Sequence, residues 1–455
     1  MPDDSGAPGR RLLIKGGAVL TMDPRIGDFT AADVLIEGSR ICAVGPNLDA
    51  ADAAVVEAAG MIVMPGFVDT HHHLFETALR GFLADGLLTN DGHAHGTVNY
   101  YEYILLKFAA AYRPEDVYIS ELFGSLSQLD AGVTTVMDVS QIHHSPEHSD
   151  AAVTALAESG RRSVLGYFEG ASERTRHPGD ARRLKLEHFS SDDQLLTMAM
   201  GGEIYLPGYE TAWEIGRELR VPIALHVVGA FGMAAAFDQL AHAKRFGPDN
   251  IFIHMTGMSD LGWQTAADAG AHISLSVPIE MCMRHGTPPI LKALQHGVQP
   301  ALSSDVECTM TADFFTQMRA AFTLQRGLVN EAALSGAADL PELLTSRDVL
   351  RFATLEGAKC LHLEKKVGTI APGKEADIII LDATAINVAP LNNVPGAVVT
   401  LMERSNVDTV IVAGKIRKWR GTLLTGDIRK LRCELEASRD FLFATTGVER
   451  DLLRT

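Results

Sequence analysis

The chain has 455 residues, 46% hydrophobic and 21% charged, and its 40 basic against 57 acidic residues leave a formal net charge of −17. That composition predicts a globular protein with ample core, and the acidic balance argues against nucleic acid or an anionic membrane as partner. No apolar stretch reaches the length of a membrane span, and Met1 to Arg11 lacks the charged-then-apolar order of a signal segment, so a cytoplasmic location is expected. Cys42, Cys282, Cys308, Cys360 and Cys433 are scattered and never form a CxxC pair, which speaks against disulfides and against Cys-type zinc sites.

From Leu12 to Val63 the chain reads as short strands broken by turns: Leu12–Ile14, Ala18–Leu20, Val34–Gly38 and Arg40–Gly45. Glycine, Asp and Pro punctuate it every eight to twelve residues, the texture of a small β-sandwich. The texture returns in Val367–Leu381 and Val407–Lys415. The expected division is therefore residues 1–64 and 366–455 as two parts of one β-sandwich, the second ending in a helix, around a central domain of residues 65–365.

Met61 to Val68 is an apolar run predicted to form a buried strand, with Asp69-Thr70-His71-His72-His73 at its C-terminal end. Side chains alternate along a strand, so His71 and His73 share one side and His72 takes the other. Two imidazoles so placed can share a metal ion; the alternative, a solubilising His run, fits poorly at the end of an interior strand. Seven further candidate strands follow: Gly132–Met137, Ser163–Phe168, Leu195–Met200, Pro222–His226, Ile251–His254, His272–Leu275 and Pro300–Ser303. Each precedes a plausible helix. Eight such units make an α/β fold, a (β/α)8 TIM-type barrel with its site at the C-terminal strand ends. An open doubly wound sheet is the runner-up, but no GxGxxG follows the first strand.

His226 and His254 end two of these strands and Asp305 follows the last, so five polar groups share one predicted face with His71 and His73. Singly each has a plainer reading: a hydrogen-bonded histidine, or a helix cap for Asp305. Together, three or four imidazoles and one carboxylate suit one divalent ion, Zn²⁺ or Fe²⁺, with a position left for water. The ion would lower that water's pKa, and a carboxylate beside it can take the proton.

Pro65–His73, Leu225-His226, Ile253-His254, Ser304-Asp305, Ala353–Ala358 and Val367–Asp377 together resemble the amidohydrolase superfamily. The chain is most similar to its branch of triazine hydrolases and of cytosine, guanine and adenosylhomocysteine deaminases, from about Leu12 to Gly421. The resemblance implies a metal-dependent hydrolase of non-peptide C–N bonds in a small, nitrogen-rich, cyclic substrate. It assigns His71, His73, His226 and Asp305 as ligands of one metal, Asp305 also as base, and His254 as partner of the attacking water or substrate. Family members are often homo-oligomers. A bridging lysine, which the binuclear branch carries on the fourth strand, is absent from Leu195–Met200.

One element departs from the pattern. Deaminases of this branch place a Glu three residues after the fifth-strand His, where this chain has His226-Val227-Val228-Gly229. Glu203 and Glu169, beyond the fourth and third strands, are the candidate stand-ins, against a reading as solvent-facing loop residues. A leaving group needing no such acid would instead suit a hydrolytic dehalogenase or an amide or carbamate hydrolase. A barrel that lost its chemistry and only binds metal is the non-enzymatic alternative. Substrate contact is expected from His143 and His144 after the second strand and from Arg80 and Tyr100 in the Leu74–Tyr112 insert. Met281, Cys282, Met283 and Arg284 are expected in the pocket wall, and Cys308 is expected not to bind metal.

Overall fold

The computed structural model describes residues 9–170 and 174–453, so most of the Met1–Arg11 segment, as far as Pro8, lies outside the described residues. Two sheets organise the chain. One holds β1 (Arg11–Val19), β2 (Phe29–Glu37), β3 (Arg40–Gly45), β4 (Ala54–Glu57) and β5 (Met61–Pro65). The second is the barrel: β6 (Phe67–His72), β7 (Val133–Ser140), β8 (Arg162–Tyr167), β9 (Leu196–Gly201), β10 (Ile223–Val228), β11 (Asn250–Thr256), β12 (His272–Leu275) and β13 (Ala301–Leu302). The chain then returns to the first sheet with β14 (Ile378–Asp382), β15 (Val407–Val412), β16 (Lys415–Trp419) and β17 (Thr422–Leu423).

The two chain ends meet where β5 pairs antiparallel with β14, Met64 opposite Ile379 and Pro65 opposite Ile378. Ile14, Val34, Ile36, Val63, Ile378, Ile380 and Ile411 are buried in one core drawn from both ends. These β-branched side chains suit a pleated surface. Within the expected C-terminal stretch Val367–Leu381, only the Ile378–Leu381 end becomes strand.

The apolar run 61–68 is two strands, not one. Gly66 is the switch: Pro65 belongs to the first sheet, while Phe67 pairs with Val133 in the barrel. A Cβ on Gly66 would lie 2.2 Å from the Thr134 side chain, so only glycine permits this approach. The barrel strand also runs further than expected, through His72.

Eight parallel strands in chain order, with helices outside, form the barrel. Val68, Met137, Val139, Val164, Ala199, Ala224, Ile251, Ile253 and Ala301 face inward as one cluster. Phe67, Val133, Val136, Leu225 and Phe252 join the larger apolar core that includes the helices. The seam between β13 and β6 closes by backbone bonds from Asp305 N to His71 O and from His73 N to Asp305 O, each 2.9 Å.

The C-terminal helix Ile428–Thr446 packs mainly on the barrel helix Pro114–Asp130 and on the Leu74–Tyr112 insert before it, rather than on the sandwich. Phe443 makes edge contacts with Phe82 and Phe108, and the Arg113 guanidinium lies 3.5 Å from the centre of the Phe441 ring. Among the described residues, no helix is long and apolar enough to cross a membrane, and all five cysteines are free.

Candidate metal centre

Two irregularities aim the histidines. In β6 the register slips between Asp69, opposite Val136, and His72, opposite Asp138. Three residues of β6 there span two of β7, which makes a bulge and reverses the alternation. Asp69 and His72 both end on the helix side: Ser304 Oγ lies 2.9 Å from His72 Nδ1 and also meets Asp69, which accepts a 2.8 Å bond from Gln128. His71 and His73 therefore turn to the barrel mouth. In β11 the register slips again, Val227 opposite His254 and Val228 opposite Thr256. His254 and Met255 take φ of 72° and 54°. Both are left-handed conformations, costly for residues with a Cβ, and they bring the His254 ring to the same mouth.

There the donors converge. His71 Nε2 is 3.0 Å from His73 Nε2 and 3.1 Å from His226 Nε2. Asp305 Oδ1 lies 3.5 Å from His71 Nε2 and 3.7 Å from His73 Nε2. The outer nitrogens fix two tautomers. His73 Nδ1 donates to the Val139 carbonyl at 2.9 Å, and His226 Nδ1 donates to Glu203 Oε1 at 2.5 Å. In the neutral rings both Nε2 atoms therefore carry lone pairs, and they flank His71 Nε2 at contact distance with no room for a proton on each; against its burial, Glu203 raises the pKa of His226, so a cation in place of the ring proton is what this ring is set to hold.

A shared cation resolves this crowding. Metal–nitrogen bonds of about 2.0–2.1 Å put two ligands roughly 3.0 Å apart at a right angle and roughly 3.4 Å apart at a tetrahedral one. The observed separations match, and the donor set of three neutral imidazoles and one carboxylate fits a divalent ion. Burial first, and the facing imidazoles after it, drive His71 and His73 well below the ordinary histidine pKa, and burial pushes Asp305 up to about 7 against the pull of His226. A divalent charge in the middle reverses the penalty on the carboxylate. Asp305 itself sits at φ 62°.

His254 stands beside this set, its Nε2 3.6 Å from Asp305 Oδ2 and its Nδ1 3.1 Å from Glu280 Oε1. Glu280 is fully buried and accepts a 2.8 Å bond from the Ser276 backbone, and desolvation raises its pKa far above the usual carboxylate range. Above the donors lies a cavity of about 450 Å³ including its mouth, walled by Leu88, Leu105, Val228, Phe231, Met283 and Val306, with Tyr100, Tyr205, Gln141 and His285 as its other polar groups.

The remaining sequence candidates fall in different places. Tyr100 lines the cavity, its hydroxyl donating to Glu76 Oε1 at 2.6 Å. Glu203 reaches the site from beneath. Its carboxylate takes both the His226 ring N–H and, at 3.2 Å, the His226 backbone N–H, and it is absent from the cavity wall. Glu169 accepts from the Glu203 backbone at 3.0 Å, and burial beside Glu203 raises its pKa to about 8. His143 and His144 are buried behind the wall, against Ser149 and the Ala109 carbonyl, while their neighbour Gln141 lines the cavity. Arg80 is tied to Glu307 at 2.9 Å, away from the wall. Of the expected wall residues, Met283 lines the cavity, Met281 and Cys282 are exposed, and Arg284 pairs with Asp91. Cys308 is buried but is not among the converging donors.

Reading by sequence missed Glu280 and His285. His285 follows Arg284 directly, in the loop after a barrel strand, and that position was the only signal it gave. Glu280 gave none, because its role depends on a helix, Val277–Cys282, folding back under His254.

Comparison with known proteins agrees with this architecture. The model of the Amidohydrolase family matches residues 62–208 and 220–417. A 5'-deoxyadenosine deaminase of Methanosarcina mazei is 26% identical over 95% of this chain and 98% of its own. A 5-methylthioadenosine/S-adenosylhomocysteine deaminase of Pyrococcus abyssi is 27% identical over 92% and 96%. Among solved structures, an adenosine deaminase from Xanthomonas campestris with bound zinc superposes with a TM-score of 0.82 at 23% identity, covering 96% of this chain and all of that one. An atrazine chlorohydrolase variant from Arthrobacter aurescens, complexed with zinc and atraton, does so at 0.81 and 19%, covering 94% and all.

Proposed function

The chain belongs to the amidohydrolase family, and we propose that it is a zinc-dependent aminohydrolase that removes the exocyclic amine of a small aromatic nitrogen heterocycle of the purine class. The observation that carries the reading is the donor set itself: three imidazole Nε2 atoms within about 3 Å of their neighbour, two with tautomer fixed from behind, and one carboxylate. His71, His73, His226 and Asp305 would hold a single ion. β9, Leu196–Gly201, carries no lysine to bridge a second. Imidazole and carboxylate donors suit either zinc or iron, and zinc is supported by the structural neighbours that hold it. The substrate class is supported by the names of the full-length relatives and by a wall that is mostly apolar and aromatic, suited to a flat, uncharged ring.

When bound, the ion makes water acidic enough to serve as nucleophile near neutral pH. Asp305 accepts the proton that water loses and delivers it to the departing amine. His254, oriented from behind by Glu280, presents Nε2 towards Asp305 and holds the attacking oxygen in line. Glu203 keeps the His226 ring in the tautomer that leaves Nε2 free.

A second reading follows from Gly229. A halide leaves without a proton, so hydrolytic dehalogenation of a triazine-like ring dispenses with the missing acid. One experiment separates the two: zinc-loaded protein is incubated with 5'-deoxyadenosine, adenosine, guanine, cytosine, melamine and atrazine, with ammonia and chloride both measured. Ammonia release with one metal per chain is expected. Chloride alone supports the second reading, and fully loaded protein inert on every compound refutes both.

A further inference from the structure

His285 is 5% exposed, lines the cavity over the donor set, and has no hydrogen-bond partner at either ring nitrogen among the described residues. Its ring stands edge-on to His254, centroids 4.6 Å apart and planes at 85°. A buried imidazole offers one donor and one acceptor, and leaving both unmade is costly. Packing on His254 would need only a ring; two buried, unpartnered nitrogens on a side chain that lines the cavity point to a ligand that pairs with one of them.

The backbone around it explains why a histidine stands here. Gly229, the position at which related deaminases carry an acid, has no room for a side chain: a Cβ would meet Thr256 O at 2.9 Å and Gly257 Cα at 3.1 Å. Gly257, at φ 72°, presses on Gly229 from the other strand end. On the opposite flank of Thr256 lies Gly286, at φ 133°, where a Cβ would come 3.2 Å from Thr256 Cβ. Three glycines thus let β10, β11 and the loop after β12 close around Thr256. The closure that excludes an acid at 229 brings His285 against the same strand end.

Building on the deaminase reading above, we propose that His285 is a substrate-recognition residue, its ring N–H hydrogen-bonded to the heterocycle nitrogen beside the carbon under attack. It holds the ring flat under the aromatic wall and replaces the contact, though not the acid, that Gly229 cannot make. Nitrogen heterocycles with an unprotonated acceptor at that position are selected over carbocyclic isosteres.

The test uses purine riboside, which has the ring nitrogens and no amine to release, and 1-deazapurine riboside, with affinities measured by calorimetry on zinc-loaded protein. Wild type is expected to bind purine riboside at least tenfold more tightly than the deaza compound. His285→Phe should lose about that factor for purine riboside alone, abolishing the discrimination, and His285→Gln should restore part of it. Zinc content should be unchanged in both variants. Discrimination that survives in His285→Phe, loss of zinc from that variant, or failure of wild type to bind purine riboside overturns the assignment. Discrimination by His285 without ammonia release from any amino heterocycle would overturn deamination alone; ammonia release without discrimination would overturn only the role of His285.

Discussion

Replacing Glu203 by Gln separates two roles for one carboxylate. If Glu203 were the acid standing in for the residue missing at 229, Glu203→Gln would abolish turnover and leave metal binding intact. In the structure both carboxylate oxygens are committed to His226, the ring N–H at 2.5 Å and the backbone N–H at 3.2 Å. A glutamine oxygen can accept only one of these bonds, its amide then opposes the other N–H, and the charge that strengthens imidazole as a ligand is gone. Partners of this kind typically govern metal affinity or activity by about 10- to 100-fold, roughly 1.4 to 2.7 kcal/mol. Zinc affinity, measured by competition with a chromogenic chelator, should weaken by that factor, and turnover should recover substantially at saturating zinc. Zinc affinity within twofold of wild type, with turnover lost, would refute the positioning role.

Three further perturbations bear on the same framework. Asp305→Asn, assayed at saturating zinc, should reduce turnover by about 10²-fold or more, since the amide cannot accept the water proton; unchanged turnover would refute its role as base. Gly66→Ala forces a methyl to within 2.2 Å of Thr134 and should cost about 1–3 kcal/mol in urea unfolding, whereas an unchanged midpoint would show that the strand switch tolerates a side chain. His177, buried and held neutral, has its pKa lowered to about 3 by desolvation. Its folded value lies below the unfolded one of about 6.5, so the unfolded chain binds the proton first, and stability is lost as pH falls from 6.5 towards 3. The loss reaches up to about 1.4 kcal/mol per pH unit from this group, so His177→Gln should flatten the decline between pH 6.5 and 5.5; parallel slopes would refute it.

Much of the fold was legible because periodicity and punctuation are local. Seven of the eight barrel strands, β7 to β13, fall on the short apolar runs that mark them, and the sandwich texture at both ends joins into one core through β5 and β14. The mistake at 61–68 was also local: an unbroken apolar run gives no sign that Gly66 passes it from one sheet to another. The polar residues fared less evenly. His71, His73, His226, His254 and Asp305 meet as expected. Glu203, Glu169, His143 and His144 lie at the right strand ends but under or behind the wall, because a strand end specifies a rim, and not which way a loop side chain turns from it.

Which donors this protein possesses, their order along the chain, and the face they share were readable from strand period and from strands ending together. Which way those donors aim depends on how the strands pair. Simple alternation from inward-facing Val68 would send His71 towards the helices, and alternation from Ile253 would do the same to His254. The bulges in β6 and β11, settled by pairing with β7 and β10, reverse both. Register is a property of two strands, so no single strand's sequence contains it. The same holds at Gly229: its missing side chain is visible in the sequence, while the closing of that space around Thr256, with His285 delivered beside it, exists only once three separate segments pack together.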